Sequence, residues 1–311
     1  MSSKLKWLFV IDPIESLNPS TDTTYAIMLE VFRRDIQTYC CTIQDLFFNS
    51  TVVCTLSSRV YFDSDEFHLG NKQESDLDSF DMIFMRKEPP YDYNFHYATQ
   101  MLSLTGSLVV NSPKALRDFN EKLIIFNFPT FIPKTIVSSD NSRIIEFIRQ
   151  NKGISILKDL NSYQGRGVKK ISADDPNLRA LLDESTHNQS VPVMVQEFVP
   201  NVKRGDKRIL ILGGKPIGAV NRVPEEGSYL ANFGQGGEAQ RATITENEIR
   251  MINSFSTFLT SNKIYLAGID VIDGYLTEIN ITCPTGLQQI NRLEGIRLQE
   301  QIVDYFQDLT V

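Results

Sequence analysis

The apolar positions fall into short runs separated by polar, glycine-containing or amphipathic stretches, the pattern of an α/β chain. Residues 7–11 (WLFVI) read as a buried strand, Asp12-Pro13 as a turn, and Ser20-Thr21-Asp22 as the lead into a helical pattern over 25–34. Further short runs at 82–85 (MIFM) and 108–110 (LVV) alternate with helical or irregular stretches, which predicts a small parallel α/β domain ending near residue 120.

The next stretch predicts an α+β unit: helix 143–150, strand 154–158, a glycine-containing turn, strand 168–171, helix 177–183 and strand 193–198. Strand 208–212, the Gly213-Gly214 turn and strand 216–221 then make a hairpin, and a helix over 246–261 leads to a second hairpin over 267–281. Between them, residues 224–237 (PEEGSYLANFGQGG) hold four glycines in fourteen positions with no apolar periodicity, which suits either a surface excursion or a lid over a site.

Charge narrows the partners. There are 31 basic and 38 acidic residues, a net charge of −7, and no long block of one sign, so a nucleic-acid partner is not expected. Cys40, Cys41, Cys54 and Cys283 form no CxxC pair, and His68, His96 and His187 are dispersed, which points to a reducing compartment without a zinc site. The apolar run near Val10 meets Asp12-Pro13 before a signal core or membrane span is complete, so the expectation is a cytoplasmic protein with no membrane partner.

The candidate chemistry lies in residues 268–280 (GIDVIDGYLTEIN), where Asp270, Glu278 and Asn280 supply hard oxygen ligands of the kind magnesium takes, though the same residues suit a plain Asp-Gly hairpin with a wet face. Loop length decides between the two. A two-residue Asp273-Gly274 loop would pair Asp270 with Thr277 and put Asp270 on the face away from Glu278 and Asn280. A three-residue loop with Gly274 left-handed at a bulge pairs Asp270 with Leu276, gathers the three oxygen ligands, and leaves Ile269, Val271, Tyr275, Ile279 and Ile281 opposite. The three-residue form is therefore expected.

Lys158 ends an apolar strand before a turn with Gly165 and Gly167, a place for phosphate or simply a solvated strand end, and Lys122 reads equally as an exposed helix residue. No GxxxxGK[ST] or complete GxGxxG occurs, so neither a P-loop nor a Rossmann site is supported. The stretch 193–200 (VMVQEFVP) offers strand-end amides and carbonyls to an adenine edge, and Asp206 a carboxylate to a ribose; a buried edge strand with a surface turn is the plainer reading.

In this order the blocks IDPIESLN (11–18), MRKEPPYD (85–92), VVNSPKALRDFNEKL (109–123), QEFVP (196–200), GDKRIL (205–210) and GIDVIDGYLTEINITCPTG (268–286) resemble the bacterial glutathione synthetases over nearly the whole chain. The resemblance implies an ATP-grasp fold, α/β and α+β, with a parallel α/β domain over 1–121, a central domain over 122–200, and a C-terminal domain over 201–311 carrying the metal site and lid. It implies ATP with Mg2+ or Mn2+, the substrates γ-glutamylcysteine and glycine joined through an acyl phosphate, and a homotetramer or homodimer. By the same resemblance Lys122 and Lys158 hold phosphates, Gln196, Glu197, Phe198 and Val199 the adenine, Asp206 the ribose, and Asp270, Glu278 and Asn280 the metal. Arg208, Arg222 and Gly237 are then the groups at the reacting centre, and Arg86, Arg222, Thr285 and Gly286 line the acceptor. Cys283 reads as a small buried residue before Pro284 rather than a nucleophile. The sequence departs from the family pattern in the turn after Lys158, which lacks a proline and a denser glycine cluster, and at Leu230, where relatives carry arginine. These departures leave open a different acidic peptide or amino acid as acceptor; a nucleotide-binding module that has lost catalysis and acts through a partner is the other class, against which the retained Asp270, Glu278 and Asn280 argue.

Overall fold

The computed structural model describes residues 4–63 and 66–310. Its first sheet is built from β1 (Lys6–Val10), β2 (Gln37–Cys41), β3 (Leu46–Asn49), β4 (Val52–Asp63), β5 (Glu66–Leu69), β6 (Gln73–Asp76), β7 (Met82–Met85) and β8 (Leu108–Val110). The centre, β2-β1-β7-β8, is parallel as expected. The domain is nevertheless not purely parallel, because β4 runs antiparallel to β2 and carries β3, β5 and β6 as an antiparallel extension. Segments such as QESD over β6 hold no apolar alternation because they are largely wet, so the pattern of apolar positions missed them.

Helix α1 (Thr23–Arg33) begins where Asp22 accepts from the Tyr25 amide, and it packs Ile27, Met28 and Val31 on the face of β1 that carries Trp7 and Phe9. Helix α2 (Tyr93–Leu102) lays Phe95, Ala98 and Leu102 on the side of Leu8, Val10, Ile83 and Met85, and the short α3 (Pro113–Asp118) follows β8. The next unit is a four-stranded sheet of β9 (Thr135–Ser138), β10 (Ile154–Asp159), β11 (Val168–Ser172) and β12 (Val193–Glu197), all antiparallel. Helices α4 (Asn141–Gln150) and α5 (Leu178–Ser185) cover it with Ile144, Ile148, Leu178 and Leu182.

The third sheet has the order β15-β14-β13-β16-β17, from β13 (Asp206–Leu212), β14 (Lys215–Val223), β15 (Glu238–Arg241), β16 (Leu266–Ile272) and β17 (Tyr275–Asn280). Period-two alternation lets β13 bury both faces: Ile209 and Ile211 meet α6 (Glu246–Ser261), while Leu210 and Leu212 meet α7 (Leu287–Glu294) and α8 (Leu298–Thr310). Helix α6 starts with a capping box between Thr245 and Glu248, and Glu248 also pairs with Lys207 at 2.8 Å. Helix α8 returns to the first domain, where Phe306 meets Phe84 edge-on with centroids 5.1 Å apart. Arg34 on the end of α1 bonds Gln307 and the Glu300 carbonyl. No helix among the described residues is long and apolar enough to cross a membrane.

Candidate active site

The hairpin that carries the candidate metal ligands closes differently from expectation. Ile272 pairs with Tyr275, so the loop is the two residues Asp273 and Gly274, with φ of 50° and 82°. Regular pairing would now turn Asp270 away from Glu278. Instead the register shifts between Asp270 and Val271, and Thr277 is the extra residue of a bulge. Asp270 therefore stands directly opposite Glu278, and Gly268 opposite Asn280, so the three side chains do share a face. Tyr275 is 44% exposed rather than part of the apolar side; Leu276, opposite Val271, takes that place.

The same alternation extends the row across the sheet. Arg208 on β13 pairs with Asp270, and Asp206 on β13 with Arg222 on β14. Arg208 clasps the Asp270 carboxylate with both prongs, Nε at 2.5 Å and Nη2 at 2.9 Å, and its Nη1 donates to the Thr285 carbonyl at 3.2 Å. Arg222 Nη2 lies 2.8 Å from Asp206 and 3.0 Å from Asp270, ionic contacts that are not aligned as hydrogen bonds. Burial would push the Asp270 carboxyl up, but Arg208 and Arg222 override it and hold the group well below the usual carboxylate range. Burial lifts Asp206 above its ordinary value, opposed by Arg222 and assisted by the charge of Asp270. Asp206 Oδ1 is buried without a hydrogen-bond partner, a free acceptor at the pocket wall.

Two lysines reach the same place from other elements. Lys122, in the turn after α3, is buried rather than exposed; its ammonium contacts Glu278 at 3.1 Å and the Ser162 carbonyl at 2.5 Å. Lys158 on β10 approaches the Thr277 carbonyl at 3.4 Å, and burial lowers its pKa against the pull of Glu278.

These groups border two cavities. The first, about 790 Å³, is lined by Lys122, Lys158, Gln196, Glu197, Phe198, Val199, Asp206, Asp270 and Glu278, with Ile156 and Ile272 among its apolar walls. The Gln196 side chain bonds Thr135 at 3.1 Å, the Glu197 amide bonds the Lys134 carbonyl at 2.8 Å, and Lys170 lies over the Phe198 ring. The second, about 740 Å³, is lined by Glu88, Arg208, Arg222, Asn280, Cys283 and Thr285. Tyr163, Gln164, Asn232 and Glu278 border both.

The roof is the turn after Lys158 meeting the glycine-rich loop. Gln235 donates to the Gln164 carbonyl at 3.2 Å, and the Tyr229 hydroxyl accepts from the Lys170 amide at 3.1 Å. Leu230 also lines the first cavity. Gly237, expected at the reacting centre, borders neither cavity, and its amide donates to the Asn232 carbonyl within the loop. Its glycine is explained by a close approach: a Cβ there would lie 1.9 Å from the Ala231 carbonyl oxygen. Nor does Arg86 line the second cavity; its guanidinium is buried against the Thr24 hydroxyl and the Pro284 carbonyl, each at 3.0 Å. Gly286 begins α7 at φ 112°, beside Thr285, which does line the cavity. Cys283 donates to the Arg86 carbonyl at 3.2 Å, and burial pushes its thiol up to about 12, unlike an activated nucleophile.

Sequence reasoning passed over Glu121, Gln164 and Asn232, because a polar residue in a turn leaves no periodic signal; their part emerges only when loops from separate units meet.

Comparison with known proteins settles the family. Residues 5–117 match the model of the prokaryotic glutathione synthetase N-terminal domain, and residues 121–295 that of the prokaryotic glutathione synthetase ATP-grasp domain. The chain belongs to the prokaryotic glutathione synthetases. A glutathione synthetase of Thermosynechococcus vestitus is 38% identical, with 95% of this chain and 97% of the relative covered, and one of Synechocystis is 37% identical over 96% and 98%. Among solved structures, a RiPP-associated ATP-grasp ligase of Chryseobacterium gregarium in complex with ADP and a leader and core peptide superimposes with a TM-score of 0.65. It covers 98% of this chain and 97% of its own at 12% identity, which is a likeness of fold. The protein is thus an ATP-grasp ligase of the glutathione synthetase family.

Proposed function

We infer that this ligase joins γ-glutamylcysteine to glycine at the expense of ATP, with the nucleotide in the first cavity and the dipeptide in the second. The observation that carries the reading is the meeting of the two cavities at Glu278, with lysines on the nucleotide side and arginines on the other, under a roof made by two loops. Lys122 and Lys158 would bind the phosphates, the segment Gln196 to Val199 the adenine, and the free Oδ1 of Asp206 a ribose hydroxyl. The dipeptide's cysteinyl carboxylate, held by Arg208 and Arg222, attacks the γ-phosphoryl group; ADP departs and an acyl phosphate forms. The amine of glycine then attacks the acyl carbon, loses a proton, and inorganic phosphate leaves. Fixed guanidinium groups favour the negative charge that builds in both steps, and the loop roof keeps water from the acyl phosphate.

The hard oxygens of Asp270, Glu278 and Asn280 fit magnesium, and manganese by the same chemistry, and Asp270 is kept ionised by its arginines. Among the described residues no three His, Cys, Asp or Glu side chains cluster as a metal site. When bound, the ion would neutralise charge on the triphosphate. The reading includes a division at residues 121 and 200, a homotetramer or homodimer, a cytoplasmic location, and neither a nucleic-acid nor a membrane partner. ADP release measured with γ-glutamylcysteine and glycine separately and together tests it. Release only with both, matched by glutathione, is expected; release with another acidic peptide instead would transfer the proposal to that acceptor.

A further inference from the structure

Strand β17 carries Glu278 and Asn280, yet it is the last strand of its sheet, with one row of backbone groups facing away from β16. The bulge at Thr277 changes which amides point outward, from even-numbered residues before it to odd-numbered ones after it. The Leu276 amide donates to the Phe131 carbonyl at 2.9 Å. Beyond the bulge, the outward amides go to one residue, while the Ile281 carbonyl accepts from Asn111 Nδ2 at 2.6 Å. The Glu121 carbonyl accepts from the Ile279 amide at 3.1 Å, and Glu121 Oε1 accepts from the Ile281 amide at 2.7 Å and from the Thr282 amide and hydroxyl at 2.8 Å each.

We propose that Glu121 is a positioning residue, whose carbonyl and carboxylate take the place of a sixth strand along β17 and so fix Glu278 and Asn280 where the two cavities meet. It rests on the functional reading above only for what those two side chains then do. An outer edge without such partners would leave the last residues of β17 held on one side alone, and an error in strand placement passes directly to side chains on that strand. Glu121 also delivers Lys122, the next residue, to Glu278, so one short turn sets both members of that ion pair. A carboxylate oxygen with three donors is occupied as an acceptor. It is therefore the acceptor, rather than a proton shuttle, that the geometry assigns to Oε1.

The test compares Glu121→Gln, which keeps an acceptor oxygen of the same reach, with Glu121→Ala and with Thr282→Val, which removes one donor. Hydrogen exchange in the full-length, ligand-free protein should show loss of protection confined to peptides spanning 276–283 in Glu121→Ala, and little change in Glu121→Gln. Turnover and the magnesium concentration for half-maximal rate should worsen about tenfold or more in Glu121→Ala, stay within about threefold in Glu121→Gln, and fall between for Thr282→Val. Wild-type exchange and magnesium dependence in Glu121→Ala would overturn the proposal, as would a Gln variant as poor as the Ala variant, since that would make charge the essential property. If Glu121→Ala does not fold, Thr282→Val decides by the same two readouts. A wild-type protein inactive with γ-glutamylcysteine and glycine would defeat the substrate reading, while the exchange result would still judge the role of Glu121.

Discussion

Asp270 shows how much of this site is settled by one side chain. It is buried beneath Arg208 and Arg222, so Asp270→Asn leaves two buried guanidinium groups short of a counter-charge and should cost about 3–5 kcal/mol in denaturant unfolding. Its folded pKa lies below the unfolded value of about 3.9, so its contribution is fully present above that pH and drains away as pH falls through the folded value. The wild-type protein should therefore lose stability on acidification more steeply than the Asn variant. Cys283, by contrast, is an inert thiol: Cys283→Ser should stay within about threefold of wild-type turnover, since a hydroxyl can also donate to the Arg86 carbonyl. Leu230→Arg should change turnover by no more than about tenfold, roughly 1.4 kcal/mol, whereas Arg208→Ala should cost far more because it also strips Asp270 of its bidentate partner. A Leu230→Arg variant that turned a slow enzyme into a fast one would mean that the native acceptor is not γ-glutamylcysteine.

Among the elements, the glycine-rich loop can be disturbed at Gly237, a position outside the hydrophobic core clusters. Gly237→Ala drives a methyl group into the Ala231 carbonyl and should loosen the roof; turnover should fall about tenfold or more while the melting temperature moves little. A normal rate in that variant would show that the loop adopts its closed form by other means. The loop was recognisable as a candidate lid because glycines break periodicity, but its partner Gln164 belongs to a separate turn that no local pattern links to it. The hairpin with the candidate metal ligands is more instructive. Gly274 at positive φ was readable from Asp273-Gly274, and the need for Asp270 to share a face with Glu278 followed from the chemistry. Which device supplies the odd residue was not readable, since a bulged loop and a bulge at Thr277 shift the register equally. The buried strands of the first sheet announced themselves through WLFV and MIFM, whereas β6, QESD and largely wetted by solvent, offered no alternation.

Across the whole molecule, the first and last parts of the chain share a core. Phe306, Ile302 and Val303 on α8 pack in the same cluster as Phe84, Phe9 and Met28 from the first domain. A fragment ending at residue 121 should accordingly unfold without a sharp transition and bind a hydrophobic dye, and a peptide spanning 298–310 should reduce that binding. Sharp two-state melting of the fragment alone would contradict this. The arrangement also sets a schedule for synthesis in the cell. At ribosomal speeds of about 5–20 residues per second, roughly ten to forty seconds separate completion of the first sheet from the emergence of α8. Through that interval the part of the β1–β7 surface destined for Phe306 stays uncovered, so the nascent protein offers chaperones an aromatic patch that the finished enzyme never shows.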